Sequence, residues 1–247
     1  MQQRYGRSFL DMFPATAGLL MVNVAFFALE FILNKKIVTH EGGSLWVIGG
    51  QILENLGSSR ESRVLDGEVW RLVSACFLHA GALHVGCNMY VFFSLGRTCE
   101  PLIGTHRFLT TYLACGLLAS STSFVWHLKE VGNSASVGAS GAIAGLIGLL
   151  LGFSIRHRDR QLRRQIIQWI IFMAVISLVM SSSQTISLDH AGHIGGLVAG
   201  FVFGLFIPPY VSSQSGRRWK IPCWIAIAVT AACLGISVWT QYQAWNG

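Results

Sequence analysis

Ser140, His193, His84 and Asn88 are the polar side chains that an otherwise apolar sequence spaces so that they could act together. A serine hydroxyl attacks a carbonyl only when a general base takes its proton, and histidine is the usual base because it titrates near neutrality. His193 is the best-placed candidate. Gly192, Gly195, Gly196 and Gly200 strip side chains from its segment DHAGHIGGLVAG, so a helix there can approach a neighbour closely. The natural neighbour is the run GASGAIAGLIG from Gly138 to Gly148, which carries Ser140. On a helix its Gly141 and Gly145 share one face. Acyl transfer also needs donors aimed at the developing oxyanion. His84 and Asn88 stand one helical turn apart on a common face, and with the backbone N–H of Ser140 they are candidates. The chemistry suggested is hydrolysis of an acyl bond.

Each of these residues also has a plainer reading. Serine in an apolar helix commonly bonds its own backbone or packs as a small residue, and Gly196 with Gly200 is a small-xxx-small packing motif whatever the function. His79 reads as a helix-end or loop-bonding histidine. Asp189, one turn before His193, could orient it as a third member of a triad or simply favour the positive end of a helix; the second reading is preferred. Metal chemistry lacks its pattern: there is no HExxH, and the spacing of His79 to His84 does not stack them on one face. No metal is expected.

The elements that must position these groups are membrane spans. In 247 residues, 52% are hydrophobic and 12% charged, with a mean hydropathy of +0.52, which does not suit a soluble globule. The formal charge of +7 could suggest nucleic acid, but the basic residues fall in short clusters between apolar runs, a membrane-topology pattern, and no nucleic-acid partner is expected. Of the cysteines, Cys76, Cys87, Cys115 and Cys233 lie within apolar runs and Cys99 and Cys223 near run ends, with no CxxC; they read as reduced small hydrophobes.

A span needs about 20 apolar residues. Seven candidates follow, at approximately 13–33, 74–95, 102–126, 136–155, 166–183, 189–209 and 221–241, so the fold class is an all-α polytopic helix bundle. The first run exceeds the roughly 7–15 residues of a signal h-region and no small-x-small site follows it, so it is read as a retained span. Arg4 and Arg7, Arg97 and Arg107, the five arginines from Arg156 to Arg164, and Arg217, Arg218 and Lys220 all fall on one side of such a bundle. By the positive-inside rule that side is cytoplasmic, with Lys129 and a mixed-charge segment opposite. The N-terminus is then cytoplasmic and the C-terminus external, in an inner (plasma) membrane. Spans two, four and six carry their polar groups toward the external half.

The connection 34–69 is the one substantial loop. Leu45, Trp46, Val47, Ile48, Ile52, Leu53 and Leu56 fit either an amphipathic segment lying in the interface or a small external cap on the helix ends. No internal repeat and no appended soluble domain is visible. The organisation expected is residues 1–12 as a cytoplasmic N-terminus, 13–209 as a six-helix core including loop 34–69, and 210–247 as a cytoplasmic linker and an extra C-terminal helix.

This pattern resembles the rhomboid intramembrane serine proteases. The match consists of Trp70 and Arg71 before span two, HVGCN from His84 to Asn88, Glu100 and Gly104 after it, GASG from Gly138 to Gly141, and AGHIGGLVAG from Ala191 to Gly200. The resemblance implies a six-helix core whose short fourth span sets Ser140 at the bottom of a water-filled cavity. Ser140 would be the nucleophile and His193 its base in a dyad that does not require Asp189. His84 and Asn88 would complete the oxyanion site, Gly138 would shape the approach, and Gly141, Gly196, Gly200, Trp70 and Arg71 would support it. It implies no cofactor, and as partners the bilayer and transmembrane protein substrates; oligomeric state stays open. Ala144 departs from the family pattern, which often has an aromatic residue there against the catalytic histidine, and Gly192 stands where alanine is common.

Two further classes compete with an endopeptidase. A catalytically weak or silent rhomboid-like escort for membrane proteins is marked by loss of the serine or histidine, and both are present. A transporter would show paired broken helices and a midplane site, neither of which is visible.

Overall fold

The computed structural model describes residues 8–41, 44, 46–128, 135–182, 189–209 and 217–246. Arg4, Arg7, Leu45, Lys129 and the linker at 210–216 lie outside the described residues. The helices are α1 (Phe9–Met12), α2 (Pro14–Glu41), α3 (Gly50–Asn55), α4 (Glu61–Leu65), α5 (Arg71–Ser74), α6 (Ala82–Ile103), α7 (Thr105–His127), α8 (Ser140–Arg156), α9 (Arg160–Ser182), α10 (His190–Phe206) and α11 (Lys220–Asn246). Two-residue strands β1 (Ser59–Arg60) and β2 (Ala135–Ser136) pair antiparallel and tie the first loop to the approach to α8. The seven long helices, α2 and α6 to α11, form the expected helical membrane bundle.

Three of them, at Pro14–Lys36, Thr105–His127 and Arg217–Asn246, are long and apolar enough by themselves to cross a bilayer. α8 and α10 are apolar but have only 17 residues each, about 25 Å at 1.5 Å per residue. That is some 5 Å less than a typical hydrocarbon core. Both are shorter than the 136–155 and 189–209 read from hydropathy. Gly138, at φ +125°, breaks the helix before Ser140, in a region open to glycine and rarely to other residues. α10 stops at Phe206, before Pro208, which has no N–H to continue it.

The second span is also displaced. Hydropathy suggests 74–95, whereas the helix runs 82–103, because Arg71–Phe77 forms α5 and a 3-10 turn that ends in extended Leu78. Glu100 therefore sits inside α6 rather than after it. Its carboxylate is satisfied there, accepting from the N–H groups of Ala15 (3.0 Å) and Thr16 (2.9 Å) and the hydroxyls of Thr16 (2.7 Å) and Thr105 (2.9 Å). One buried carboxylate thus caps the start of α2, whose first N–H groups have no helical acceptor. Gly104, at φ +85°, is the whole connection between α6 and α7.

α8 lies at the centre. Ile143, Leu146, Ile147, Leu149 and Leu150 join Phe77, Phe92, Phe108 and Tyr112 in the main core. Its other face meets α10 through glycines. A methyl group added at Gly196 would collide with the carbonyl of Gly141, at Gly200 with that of Gly145, and at Gly204 with that of Leu149. Lipid is as apolar as leucine, so close backbone packing of this kind, rather than exclusion of water, holds helices together. The other end of α10 is tied down by Arg107, which donates to the carbonyl of Pro208 (2.9 Å), and by Arg156, which donates to that of Leu205. Cations at a helix C-terminus are favourable, and these arginines mark the end of the bundle opposite Ser140.

The first loop is a packed cap. Ile48, Ile52, Leu53 and Leu56 bury against Leu78 with Phe26, Phe27 and Leu33 partly buried around them, while Trp46, Leu65 and Val69 stay exposed. Buried Arg71 closes it from within, donating to Glu68 (2.6 Å) and to the carbonyls of Glu54 (2.6 Å) and Ser58 (3.3 Å). Its guanidinium carbon stands 4.8 Å from the centre of the Trp70 ring. α11 holds the same cap: Ser237 donates to the carbonyl of Leu56 (2.6 Å) and Thr240 to that of Asn55 (2.8 Å).

Gly200→Val is expected to destabilise the protein by more than the roughly 1–3 kcal/mol of ordinary overpacking, since backbone must move. Gly235→Ala on α11, where an added methyl meets nothing within 4 Å, should be neutral or stabilising by up to about 1 kcal/mol. Thermal unfolding of the detergent-solubilised variants measures both.

Candidate active site

Ser140 is the first residue of α8, where backbone N–H groups have no acceptor within the helix. His193 is on the first turn of α10. The glycine contacts bring the two helix starts together, and His193 Nε2 lies 2.7 Å from Ser140 Oγ, hydrogen-bond distance for a nucleophile and its base.

His84 and Asn88 approach the same point from α6. A methyl group added at Gly138 would lie 2.9 Å from His84 Nε2 and 3.5 Å from Asn88 Nδ2, so both side chains stand over the backbone just before Ser140. Gly138 is fixed there by its own N–H, which donates to the carbonyl of Ala75 (2.8 Å). The N–H of Ala80 donates to His84 Nδ1 (3.4 Å), which in a neutral ring leaves the proton on Nε2, the nitrogen facing Gly138. Asn88 is buried, and its Nδ2 has no hydrogen-bond partner among the described residues. A buried donor left unpaired is costly. It is suited to an acceptor that arrives with the substrate.

Among the described residues the Asp189 carboxylate makes its hydrogen bonds to Gly192 and Ser136 and none to the His193 ring. Asp189 is the N-cap of α10: Oδ1 accepts from the N–H of Gly192 (2.7 Å), and Oδ2 from the hydroxyl of Ser136 (2.6 Å). Gly192 packs on this carboxylate, and a methyl group there would come within 2.9 Å of the Asp189 carboxyl carbon. His79 lies in the turn before α6 and not within the helix. It is fully buried, its ring edge-on to that of His84 at 5.3 Å between centres. Ala144 is buried in α8. Trp70 and Arg71 stand in the cap, where Arg71 bonds Glu68 and the carbonyls of Glu54 and Ser58.

Two residues outside the sequence motifs enter the site in the structure, Ser136 and Glu30. Ser136 ties the strand before α8 to the cap of α10. Glu30, on α2, is completely buried and accepts from the N–H of His79 (3.0 Å). A carboxyl inside an apolar span is itself a signal, which the length of the first run concealed.

Seven long helices, with a serine and a histidine within hydrogen-bond distance at two helix starts, define a class, the polytopic helical membrane proteins. The Rhomboid domain family matches residues 66–210. The chain is 36% identical to Rhomboid protease GluP of Bacillus subtilis over 71% of its own length and 32% of that protein's. It is 32% identical to Rhomboid-like protease 1 of Toxoplasma gondii, over 75% of this chain and 60% of that one. It is 31% identical to RHOMBOID-like protein 6, mitochondrial, of Arabidopsis thaliana, over 75% and 63%. The chain therefore spans about a third to just under two thirds of these curated relatives. It belongs to the rhomboid family, among relatives named as proteases, and is a multi-pass integral membrane protein.

Asp189→Ala is expected to cost about 1 kcal/mol of stability, the usual worth of an N-cap. Asp189→Asn, which keeps a capping oxygen, should recover most of it. Melting temperatures of the two variants in the same detergent test the assignment.

Proposed function

We propose that this chain is an intramembrane serine endopeptidase that cleaves peptide bonds in or near transmembrane segments of other membrane proteins. The observation that carries the reading is the 2.7 Å approach of His193 Nε2 to Ser140 Oγ, beside two side-chain donors aimed at the adjacent backbone. Ser140 Oγ attacks the scissile carbonyl while its proton passes to His193 Nε2. The oxyanion accepts from His84 Nε2–H, Asn88 Nδ2–H and the N–H of Ser140. His193 then returns the proton to the leaving amine, and a water activated by the same histidine hydrolyses the acyl-enzyme. Asp189 has no part in this sequence of steps, which is that of a dyad.

The short α8 supports the supply of water. A helix about 5 Å shorter than the hydrocarbon core leaves Ser140 below the level at which longer neighbours end. A substrate helix must also unwind there, because its carbonyls are hydrogen-bonded within the helix until it does. The reading includes the six-helix core at 13–209 with α11 as an added helix. It also includes a cytoplasmic basic end, with the site opening toward the opposite side of an inner membrane.

A fluorophosphonate probe should label the solubilised wild type and not Ser140→Ala; equal labelling sinks the nucleophile assignment. With a model transmembrane substrate, His193→Ala should abolish cleavage and Asp189→Ala should retain most of it. His84→Ala and Asn88→Ala should each lower kcat by about 10²–10³ if they are oxyanion donors. Folded, unlabelled wild type would favour an escort role.

A further inference from the structure

We infer that Glu30 is a positioning residue for the oxyanion site, acting through the peptide at His79 and Ala80 on the tautomer of His84. This rests on the proposed role of His84 in the cleavage reaction. Glu30 is completely buried on α2, and its carboxyl accepts from the N–H of His79 through both oxygens (3.0 and 3.3 Å). The next N–H along the chain, that of Ala80, is the one that donates to His84 Nδ1. Two consecutive amides therefore face two different side chains, one supplied by α2 and one by α6. If the first is released, the peptide plane that directs the second is no longer held.

The rest of the turn is fixed independently. The carbonyl of Ala80 accepts from the N–H of Ile48 (3.0 Å), and the N–H of Ala82 donates to the carbonyl of Trp46 (3.1 Å). Asn34, one turn beyond Glu30 on α2, holds that strand of the loop, donating to the carbonyl of Val47 (3.0 Å) and accepting from the N–H of Gly49 (3.0 Å). Among the described residues Glu30 is thus the one side chain that accepts from the amide of His79, while the carbonyl side of the turn has the loop to hold it. The consequence falls on one atom. With Nδ1 accepting from Ala80, the His84 proton stays on Nε2, where it faces the carbonyl-binding position over Gly138; without that donor the ring is free to move the proton to Nδ1 and present a lone pair to the oxyanion. The ring of His79 packs edge-on against that of His84, 5.3 Å between centres.

The test is a double-mutant cycle in the purified full chain, with kcat and KM measured on a model transmembrane substrate. Glu30→Ala should lower kcat about tenfold, less than the roughly 10²–10³ of losing a whole oxyanion donor, with KM unchanged. Glu30→Gln keeps an acceptor oxygen and should stay within about threefold of wild type. In the His84→Ala background Glu30→Ala should have little further effect, the non-additivity expected of residues that act through one another. Equal, multiplicative losses in both backgrounds would overturn the proposal, as would a normal kcat for Glu30→Ala. Should Glu30→Ala not fold, ring nitrogen-15 NMR of the wild type and of Glu30→Leu, which fills the space without an acceptor, decides: an Nε2–H tautomer for His84 is expected in the wild type and a shift toward Nδ1–H in Glu30→Leu, and an unchanged Nε2–H tautomer in Glu30→Leu, or an Nδ1–H tautomer in the wild type, overturns the proposal. No loss of kcat in His84→Ala would instead overturn the oxyanion reading itself.

Discussion

Backbone that leaves a helix at membrane depth must find its hydrogen-bond partners inside the protein, because lipid offers none. Two segments of this chain do so side by side, 75–81 before α6 and 135–139 before α8, and the bond from the Gly138 N–H to the Ala75 carbonyl joins them. Most of what surrounds the site follows from meeting that requirement. The β1–β2 pair covers the second segment, the Trp46–Ile48 strand covers the first, and Arg71 satisfies the carbonyls of the loop that supplies that strand. The site is where these irregular stretches meet, and there Asn88 Nδ2 is left without a hydrogen-bond partner among the described residues.

The other half of the site depends on packing. Hydroxyl and imidazole meet because α8 and α10 start at the same end and touch through backbone, a contact that only glycine at positions such as 196 and 200 allows. The two halves are differently built. One is rigid because carbonyls of neighbouring helices are within van der Waals reach, the other because amides and carbonyls of the turns are individually satisfied. A substitution in the first half acts on helix separation, and one in the second acts on the direction of a single N–H.

The sequence made the first half legible and the second only partly. Glycine spacing at 192–200 and 138–148 predicts the close pair, and the one-turn spacing of His84 and Asn88 places both on one face of α6. Hydropathy misplaces the start of α6 because Ala75, Cys76, Phe77 and Leu78 are as apolar as a span yet form a turn and an extended step, buried by contacts with α2 and the cap that no window average contains. It lengthens α8 and α10 for the same reason: what ends them is a positive φ at Gly138 and a proline at 208. Asp189 shows the opposite case, where position in the chain, three residues before the N–H it caps, identified its local role. Glu30 was readable as a charge in an apolar run and its partner was not, since the His79 amide is 49 residues away.

α10 is short and, unlike α8, lies at the surface of the bundle, with Ile194, Val198, Val202 and Phe206 exposed along one stripe. A lipid-facing wall of about 25 Å beside an average hydrocarbon core of about 30 Å is a hydrophobic mismatch. Such a mismatch is met by local thinning of the bilayer, by snorkelling of flanking residues or by association with another helix, each at a cost of fractions of a kcal/mol per Å. The same few residues by which α10 falls short tie the fit of this protein to the thickness of the membrane that carries it.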